Sequence, residues 1–378
     1  MNEHSTDVVI VGGGLVGVAT AYFLSLLGIE SIVVERDGLG SHASGFSYAA
    51  LGTFDEAGMT DNHFEVGSLG MRLHKELAES LYEETGVDVE FRERPMLGIV
   101  FDEKEAEAVQ NPKGHDAIRR SWEVDDQGYT IKWVDEKEAR GIESRISSKA
   151  LGGIYTEGTT DVNAYRLTLA LAMAAEQRGA QVMNGTVTGL VKDDGRVRGV
   201  MVNGTQIACD RVVVAMGPWS QASSNWLGIP ILMQPWKGQI LRLRLPGPPI
   251  RSSVVGGDYF TSTKPDGHTW VGATFEDVGL DESTTSEARE SIMAGAVKNI
   301  PSLSEGQIVL QTACLRPLSS DRKLILGKVP DLDGAYVATG GGRLGLMMGP
   351  AMGSLIADLI NDDVTGISLD AFNPGRFL

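Results

Sequence analysis

The sequence predicts an α/β protein: a doubly wound nucleotide-binding domain interrupted twice by a second, mainly antiparallel β-rich domain. Three observations carry this. Residues 8–36, "VVIVGGGLVGVATAYFLSLLGIESIVVER", read strand, glycine loop, helix, strand, acid. Residues 186–217 read as a three-stranded meander whose last run is wholly apolar. The end of the chain, "GAYVATGGGRLGLMMGPAMGSLIADLI", again reads strand, glycine loop, helix. The expected division gives 1–87, 150–227 and 312–378 to the nucleotide-binding domain, and 88–149 and 228–311 to the insert.

The first unit sets the fold. Residues 8–11 are a short β-branched run, the pattern of a strand buried in a parallel sheet. Gly12, Gly14 and Gly17 then give G-x-G-x-x-G, leading into an apolar helix over 15–27. Gly12 suits the tight turn, Gly14 admits a pyrophosphate close to the backbone, and Gly17 lets helix and strand pack. The helix N-terminus supplies oriented N–H groups for the anion. The run 31–35 is the next parallel strand. Its last residue, Glu35, stands where a carboxylate accepts hydrogen bonds from a ribose and would repel a 2′-phosphate, which argues against NADP. Strand, glycines, helix, strand and acid in register make a Rossmann-type dinucleotide site, a stronger signal than the glycines alone.

Further along, 36–54, "RDGLGSHASGFSYAALGTF", is a long loop of small residues, and loops this long inside a compact domain are usually functional. Residues 63–85 read as an amphipathic helix through Leu69, Leu73, Leu77 and Leu81. The stretch 86–150 is more charged, with turns and short strands such as "MLGIVF". An alanine-rich helix follows and ends at Gly179. Asp194-Gly195 and Asn203-Gly204 mark the hairpin turns of the meander. Residues 228–312 alternate strands and turns around one helix at about 285–299.

Composition sets the class. The 378 residues are 42% hydrophobic and 22% charged, as in an ordinary soluble globular protein with room for two domains. A net charge of −17 argues against nucleic acid and against anionic lipid as partners. The apolar runs read as far short of a membrane span, and the polar start "MNEHSTD" does not read as a signal peptide, so a cytoplasmic enzyme is expected. Two cysteines and six histidines show neither a disulfide framework nor metal-ligand spacing.

The second glycine loop, with Gly340, Gly341, Gly342 and Gly345, leaves bare backbone ahead of a helix near 349–361. Such a helix N-terminus suits an electron-rich ligand edge, such as the N1–C2=O2 edge of a reduced flavin. A tight turn needing positive φ angles is the other reading, and the loop alone leaves both open.

Six blocks in this order resemble the D-amino-acid-oxidase-like (DAO) group of FAD-dependent oxidoreductases, which includes glycine oxidase, sarcosine oxidase and D-amino-acid dehydrogenases. They are "VVIVGGGLVGVATAYFL…VVER", "SHASGFSYAALG", "GTTDVNAYRLTLALAMAAEQRGAQVMNGTVTGL", "VVVAMGPWS", "CLRPLSSDRKLILG" and "VATGGGRLGLMMGPAMGSLIADLI". The resemblance implies a resident, noncovalent FAD. Gly12, Gly14 and Gly17, with Leu15 and Val16 opening the helix, would hold its pyrophosphate, and Glu35, followed by Arg36, its adenosine ribose. Ser41, His42, Ala43, Ser44 and Ser47 would meet phosphates and flavin. Val187 would face adenine through its backbone, with Ala215, Gly217 and Trp219 beside the cofactor. Gly341, Gly342, Arg343, Leu344, Gly345 and Leu346 would embrace the flavin O2 edge.

The same resemblance makes Arg316 the carboxylate-binding arginine of the L-R-P block; pairing with Asp321 is the structural alternative. A guanidinium suits this task because it can make two parallel charge-assisted bonds. Arg343 replaces the His or Gln of many members and lies either near flavin and substrate or in solvent. His42 resembles a substrate-side histidine of some D-amino-acid dehydrogenases, or is bonded locally. Tyr259 lies on the hairpin that would roof the substrate cavity, as recognition or as packing. Cys314 occupies the position of a covalent flavin link in some members, but Leu315-Arg316-Pro317 after it favours a simple buried thiol. Lys264 and His268 flank a Pro-Asp-Gly turn and read as surface residues.

The implied reaction is oxidation of the C–N bond of a small amino acid or N-substituted amino acid, with oxygen or a quinone as acceptor. Oxidation of a 2-hydroxy acid is the alternative, and His42 its available base. A flavoprotein subunit of a larger amine or opine dehydrogenase is another, and an oligomer is compatible with all three.

Overall fold

The computed structural model describes residues 5–52, 61–111 and 129–378. Thr53 and Phe54 of the expected 36–54 loop, and residues 112–128 of the insert, lie outside them. The N-terminal β-branched run becomes the strand Ser5–Val11, buried over its last four residues. It pairs in parallel with Ser31–Glu35 on one side and Thr205–Val214 on the other. Gln181–Asn184 and Ala335–Thr339 extend the parallel core outward. At one margin Val187–Asp193, Arg196–Val202 and the start of Thr205–Val214 form the antiparallel meander. Asp194-Gly195 and Asn203-Gly204 all have positive φ, the condition for the tight two-residue turns expected there.

The two-residue period of the strands divides the core. Val8 and Ile10 join the helical side, where Leu15–Leu26, Asp61–Thr85, Ala164–Gln177 and Gly345–Ile360 pack. Val9 and Val11 face the opposite cluster with Val200, Ile207, Ile231 and Leu332. The helix within Gly342–Ile360 has the length and composition of a membrane span, where the sequence was read as holding apolar runs far short of one. Here it is a core helix, packed against Leu15–Leu26 and Asp61–Thr85.

The second sheet runs Gln307–Arg316, Trp236–Arg244, Thr269–Gly272, Tyr259–Thr263, Ser253–Gly256, Met96–Val100, Gly152–Glu157, Thr130–Asp135. All its pairs are antiparallel except Ser253–Gly256 with Met96–Val100. Two expected boundaries shift. The division at 149/150 falls just before Gly152–Glu157, which belongs to this second sheet, so the return to the nucleotide-binding domain comes after it. The division at 311/312 cuts the strand Gln307–Arg316, which stays in the second sheet to its end. Gly158, at φ +88°, follows the first of these strands and Pro317 the second, so the breaks between the domains lie after each strand and not before it.

One contact ties the helical layer to the second glycine loop. Pro350 lies inside Gly345–Ile360 and has no N–H, so the Leu346 carbonyl four residues earlier lacks its helical donor. His74, from Asp61–Thr85, supplies the bond: its Nε2 donates to Leu346 O at 2.9 Å. Burial holds the imidazole well below its ordinary value, down to about 4, against the opposing pull of backbone contacts at Leu346 and Met347. Below pH 6.5 the unfolded chain takes up a proton at this histidine that the folded chain refuses until about pH 4. The stability is therefore full above pH 6.5 and lost as the pH falls toward 4, on the order of 3 kcal/mol for this group. Melting temperatures of wild type and His74→Gln across pH 4–7.5 check this: the acid loss should be shallower in the variant, and parallel curves would refute it.

Candidate active site

Both glycine loops open into one cavity of about 750 Å³, within the range of small-molecule and cofactor sites. Val11, Val34, Ala215 and Ala338 bring the carboxyl ends of the parallel strands to it, and Ile240, Val255 and Phe260 bring the second sheet. That is where an open α/β sheet places its ligand. Every cofactor candidate named above lines the cavity except Gly17.

The three fingerprint glycines have separable reasons. A Cβ on Gly17 would stand 2.0 Å from the Gly12 carbonyl oxygen, so this glycine is required by helix–strand packing. Gly12 has φ +113°, and a Cβ there would stand 2.4 Å from Ala215 O. At Gly14, among the described residues and apart from its chain neighbours, such a Cβ would meet only Ser44 Oγ within 4 Å, at 3.2 Å. The space beside Gly14 is thus not filled by backbone, and it lies at the N-terminus of Leu15–Leu26. No side chain caps that helix through Gly14, while Ser44 Oγ accepts from Leu15 N at 2.9 Å. Glu35 is fixed at the end of its strand: Oε2 accepts from Gly13 N at 2.6 Å and Oε1 from Asp37 N at 2.9 Å. A pyrophosphate on the helix end and a ribose against Glu35 fit these residues.

At the second loop, Gly340 (φ +86°) and Gly342 (φ +54°) need the left-handed region, whereas Gly341 and Gly345 are helical. Gly341, Gly342 and Gly345 also line the cavity, so the tight turn and the open helix end coexist.

The opposite end is cationic and aromatic. The Arg316 guanidinium lies over the Phe275 ring at 4.3 Å, and its Nη1 donates to Thr274 O at 3.1 Å and Lys237 O at 3.3 Å. A Cβ on Gly238 would stand 2.3 Å from Arg316 Nη2, so this glycine makes room for the flat arginine. Asp321, the acid weighed as its structural partner, is taken by Arg376 at 2.8 and 3.0 Å. Arg343 also reaches the cavity, its guanidinium 5.2 Å from the same Phe275 ring.

His42 and Tyr259 serve other ends. His42 packs on Trp219, on which Arg36 also stacks, and its ring nitrogens meet Glu282 at 3.0 Å and Asp37 at 2.9 Å. With both nitrogens engaged by carboxylates, none is left for a substrate hydroxyl. Tyr259 lines the cavity, but its hydroxyl pairs with Ser291 at 2.8 Å and its ring lies over Gly295, so it packs the hairpin onto the helix Ser286–Asn299. Cys314 is a buried thiol at the cavity wall, and burial pushes it up to about 11.

Lys264 is a correction. Expected at the surface, it is 8% exposed, with Nζ 2.7 Å from Asp161 and 4.2 Å over the Tyr48 ring. Arg94 binds the same carboxylate. Burial lowers the lysine to about 8 while Asp161 holds it up. The Pro-Asp-Gly turn is exposed as expected, but Lys264, just after the strand Tyr259–Thr263, is buried. His268, across the turn, is partly exposed beside Asp266. Sequence reasoning also missed Tyr48, whose hydroxyl sits between Ser253 at 2.9 Å and Ser262 at 2.6 Å and whose ring stacks on Phe260. Phe275 and Gly238 were missed as well. An aromatic in the small-residue loop was the available signal for Tyr48; nothing local marks the other two.

A family model described as FAD dependent oxidoreductase (DAO) matches residues 7–359. The chain belongs to the DAO family. FAD is accordingly the cofactor of this α/β fold, and the glycine loops, Glu35 and Ser44 are residues of this chain that fit it. Among similar proteins, the glycine oxidase of Geobacillus kaustophilus is 28% identical over 99% of this chain and 98% of its own length. The glycine oxidase of Pseudomonas aeruginosa is 29% identical, covering 94% and 95%. The crystal structure of the G. kaustophilus enzyme superposes with a TM-score of 0.90 at 26% identity, covering 99% of this chain and all of that one.

Proposed function

We propose that this DAO-family chain oxidises the C–N bond of a small amino acid or N-substituted amino acid whose carboxylate is held by Arg316. The observation that carries the reading is the Arg316 guanidinium, braced by two backbone carbonyls and the Phe275 ring at the wall of the cofactor cavity. Bound FAD supplies the two-electron acceptor for the hydride leaving substrate Cα. The chain's own part is to fix the carboxylate, present the Cα–H bond and exclude water. The neutral amine is the reactive form, because its lone pair becomes the C=N bond; the imine then hydrolyses to a 2-oxo acid and an amine. No strong protein base is required, in keeping with His42 being held between Asp37 and Glu282. The oxidases among its relatives favour oxygen as the acceptor.

Anaerobic mixing of the yellow protein with D-, L- and N-methyl amino acids and 2-hydroxy acids tests this. Amino acids should bleach the flavin band, and admitting air should restore it. Bleaching by 2-hydroxy acids alone would replace the reading. Restoration by a quinone but not by air would replace oxygen. Acid precipitation of the same preparation should leave FAD in the supernatant; flavin in the pellet would instead mark Cys314 as a covalent link.

A further inference from the structure

We propose that Tyr48 closes the second-sheet end of the cavity and so limits substrate length, and that the buried Lys264 is the positioning residue that holds it there. This rests on Arg316 anchoring the substrate carboxylate. One face of the second sheet links that anchor to the wall. Gly238, against the Arg316 guanidinium, and Ile240 are two residues apart on one strand and so share a face. Ile240 and Phe260 flank Gly272, where a Cβ would stand 3.0 and 3.1 Å from them. The Tyr48 ring then stacks on Phe260, with centroids 3.7 Å apart. Arg316, Ile240, Phe260 and Tyr48 all line the cavity.

Tyr48 reaches this position from the loop that also carries His42 and Ser44, so the second domain has to catch it. Ser253 and Ser262, on adjacent strands, meet its hydroxyl at 2.9 and 2.6 Å. Lys264 Nζ lies 4.2 Å over its ring, whose negative face attracts a cation more strongly where water is excluded. Arg94 binds Asp161 together with the lysine, so that carboxylate does not depend on Lys264 for its counter-charge. Burying a second cation there is costly, and the Tyr48 ring is what its ammonium meets beyond Asp161 among the described residues. Tyr48 also lines a second, small cavity of about 30 Å³, with Asp161, Lys264 and Trp270. Ser47 and Tyr48 thus stand between the two spaces. Without the ring the spaces would join, and a chain extending from the Arg316 anchor would gain room.

The experiment uses the FAD-loaded protein and unreactive straight-chain acids from acetate to hexanoate, read by perturbation of the flavin spectrum. Wild-type affinity should be highest for a short acid and fall as the chain lengthens. In Tyr48→Ala the best acid should be longer, with hexanoate bound about 10-fold or more tightly than by wild type, the worth of a methylene in a fitted pocket. Tyr48→Phe keeps the ring and should keep the wild-type order. Lys264→Met should shift the order in the same direction as Tyr48→Ala, but less. Added to Tyr48→Ala it should change nothing further, because the lysine acts through the ring; a structural role of its own would add. The spectrum before titration reports that each variant is folded and loaded, and where alanine costs the flavin, Tyr48→Leu gives the same test. Wild-type affinity that rises steadily with length, or an unchanged order in the Tyr48 variant, would overturn the wall. An unchanged order in Lys264→Met, or an equal effect of that substitution with and without Tyr48, would overturn the lysine's part. Loss of every acid alike in Arg316→Lys is the separate readout of the anchor: if that variant binds them as wild type does, the Arg316 reading fails, while the length order still reports on Tyr48.

Discussion

Replacing Arg316 by alanine is expected to lower kcat/KM for the best amino-acid substrate by about 30- to several-thousand-fold. Removing one partner of a desolvated charge pair typically costs about 2–5 kcal/mol, which sets that range. The surroundings explain why the loss should fall toward the larger end. The guanidinium is flattened against Phe275, and two backbone carbonyls fix it before any substrate arrives, so little ordering is left for the moment of binding. Lysine should recover only part of the loss, because a point charge cannot form two parallel bonds. Gly238 gives an independent handle: a methyl there would stand within 2.6 Å of both terminal guanidinium nitrogens, Nη1 and Nη2, so Gly238→Ala should displace the arginine without deleting its charge. Both variants should keep the FAD spectrum. A carboxylate-free amine, poor with wild type, should be nearly indifferent to either substitution. Near wild-type turnover by Arg316→Ala would remove the main support for the amino-acid reading.

The nucleotide half of the molecule was legible because its signals are local. Turn, helix start, neighbouring strand and ribose acid all fall within residues 8–36, where period and glycine spacing read out backbone geometry directly. The meander was legible for the same reason: its turns demand positive φ and carry Asp-Gly and Asn-Gly. The substrate end is assembled from residues far apart in sequence. Arg316 was found through its L-R-P block, but Phe275, which sets its pose, lies on another segment, and so does Gly238. Lys264 was misplaced because a turn fixes where the backbone is exposed, not which way its first side chain points. His42 was read as substrate-side or bonded locally; Asp37 is the local partner, while Glu282 comes from far along the chain, where no local pattern points to it. Strand Gly152–Glu157 was given to the wrong domain because sheet membership depends on pairing with Met96–Val100 and Thr130–Asp135, which no local pattern records.

Valine at Gly14 is expected to abolish FAD retention while leaving a folded protein, and alanine at Gly17 to damage the fold itself. The contrast follows from what each missing side chain would meet. A Cβ at Gly17 would stand 2.0 Å from the Gly12 carbonyl, within the strand-to-helix turn, so the helix Leu15–Leu26 would have to lift from the sheet. Its buried face, including Val18, Ala19 and Leu24, would lose packing, a cost of several kcal/mol typical of overpacked or broken core contacts. At Gly14 the chain itself asks for no such absence beyond the Ser44 hydroxyl, which can rotate aside. What Gly14 leaves open is the approach to the helix N-terminus, and a branched side chain would occupy the room a pyrophosphate needs. Stripping FAD from each protein and comparing melting curves separates the two effects. Gly14→Val apoprotein should melt close to wild-type apoprotein, and adding FAD should raise the wild-type curve alone. Gly17→Ala should melt lower with or without the cofactor. Glu35→Ala should lie between, weakening retention by about 1–3 kcal/mol, since it removes one acceptor and leaves the cradle open. If Gly14→Val instead retained FAD as wild type does, the anion site would have to lie away from this helix end, and the second glycine loop would be the place to look.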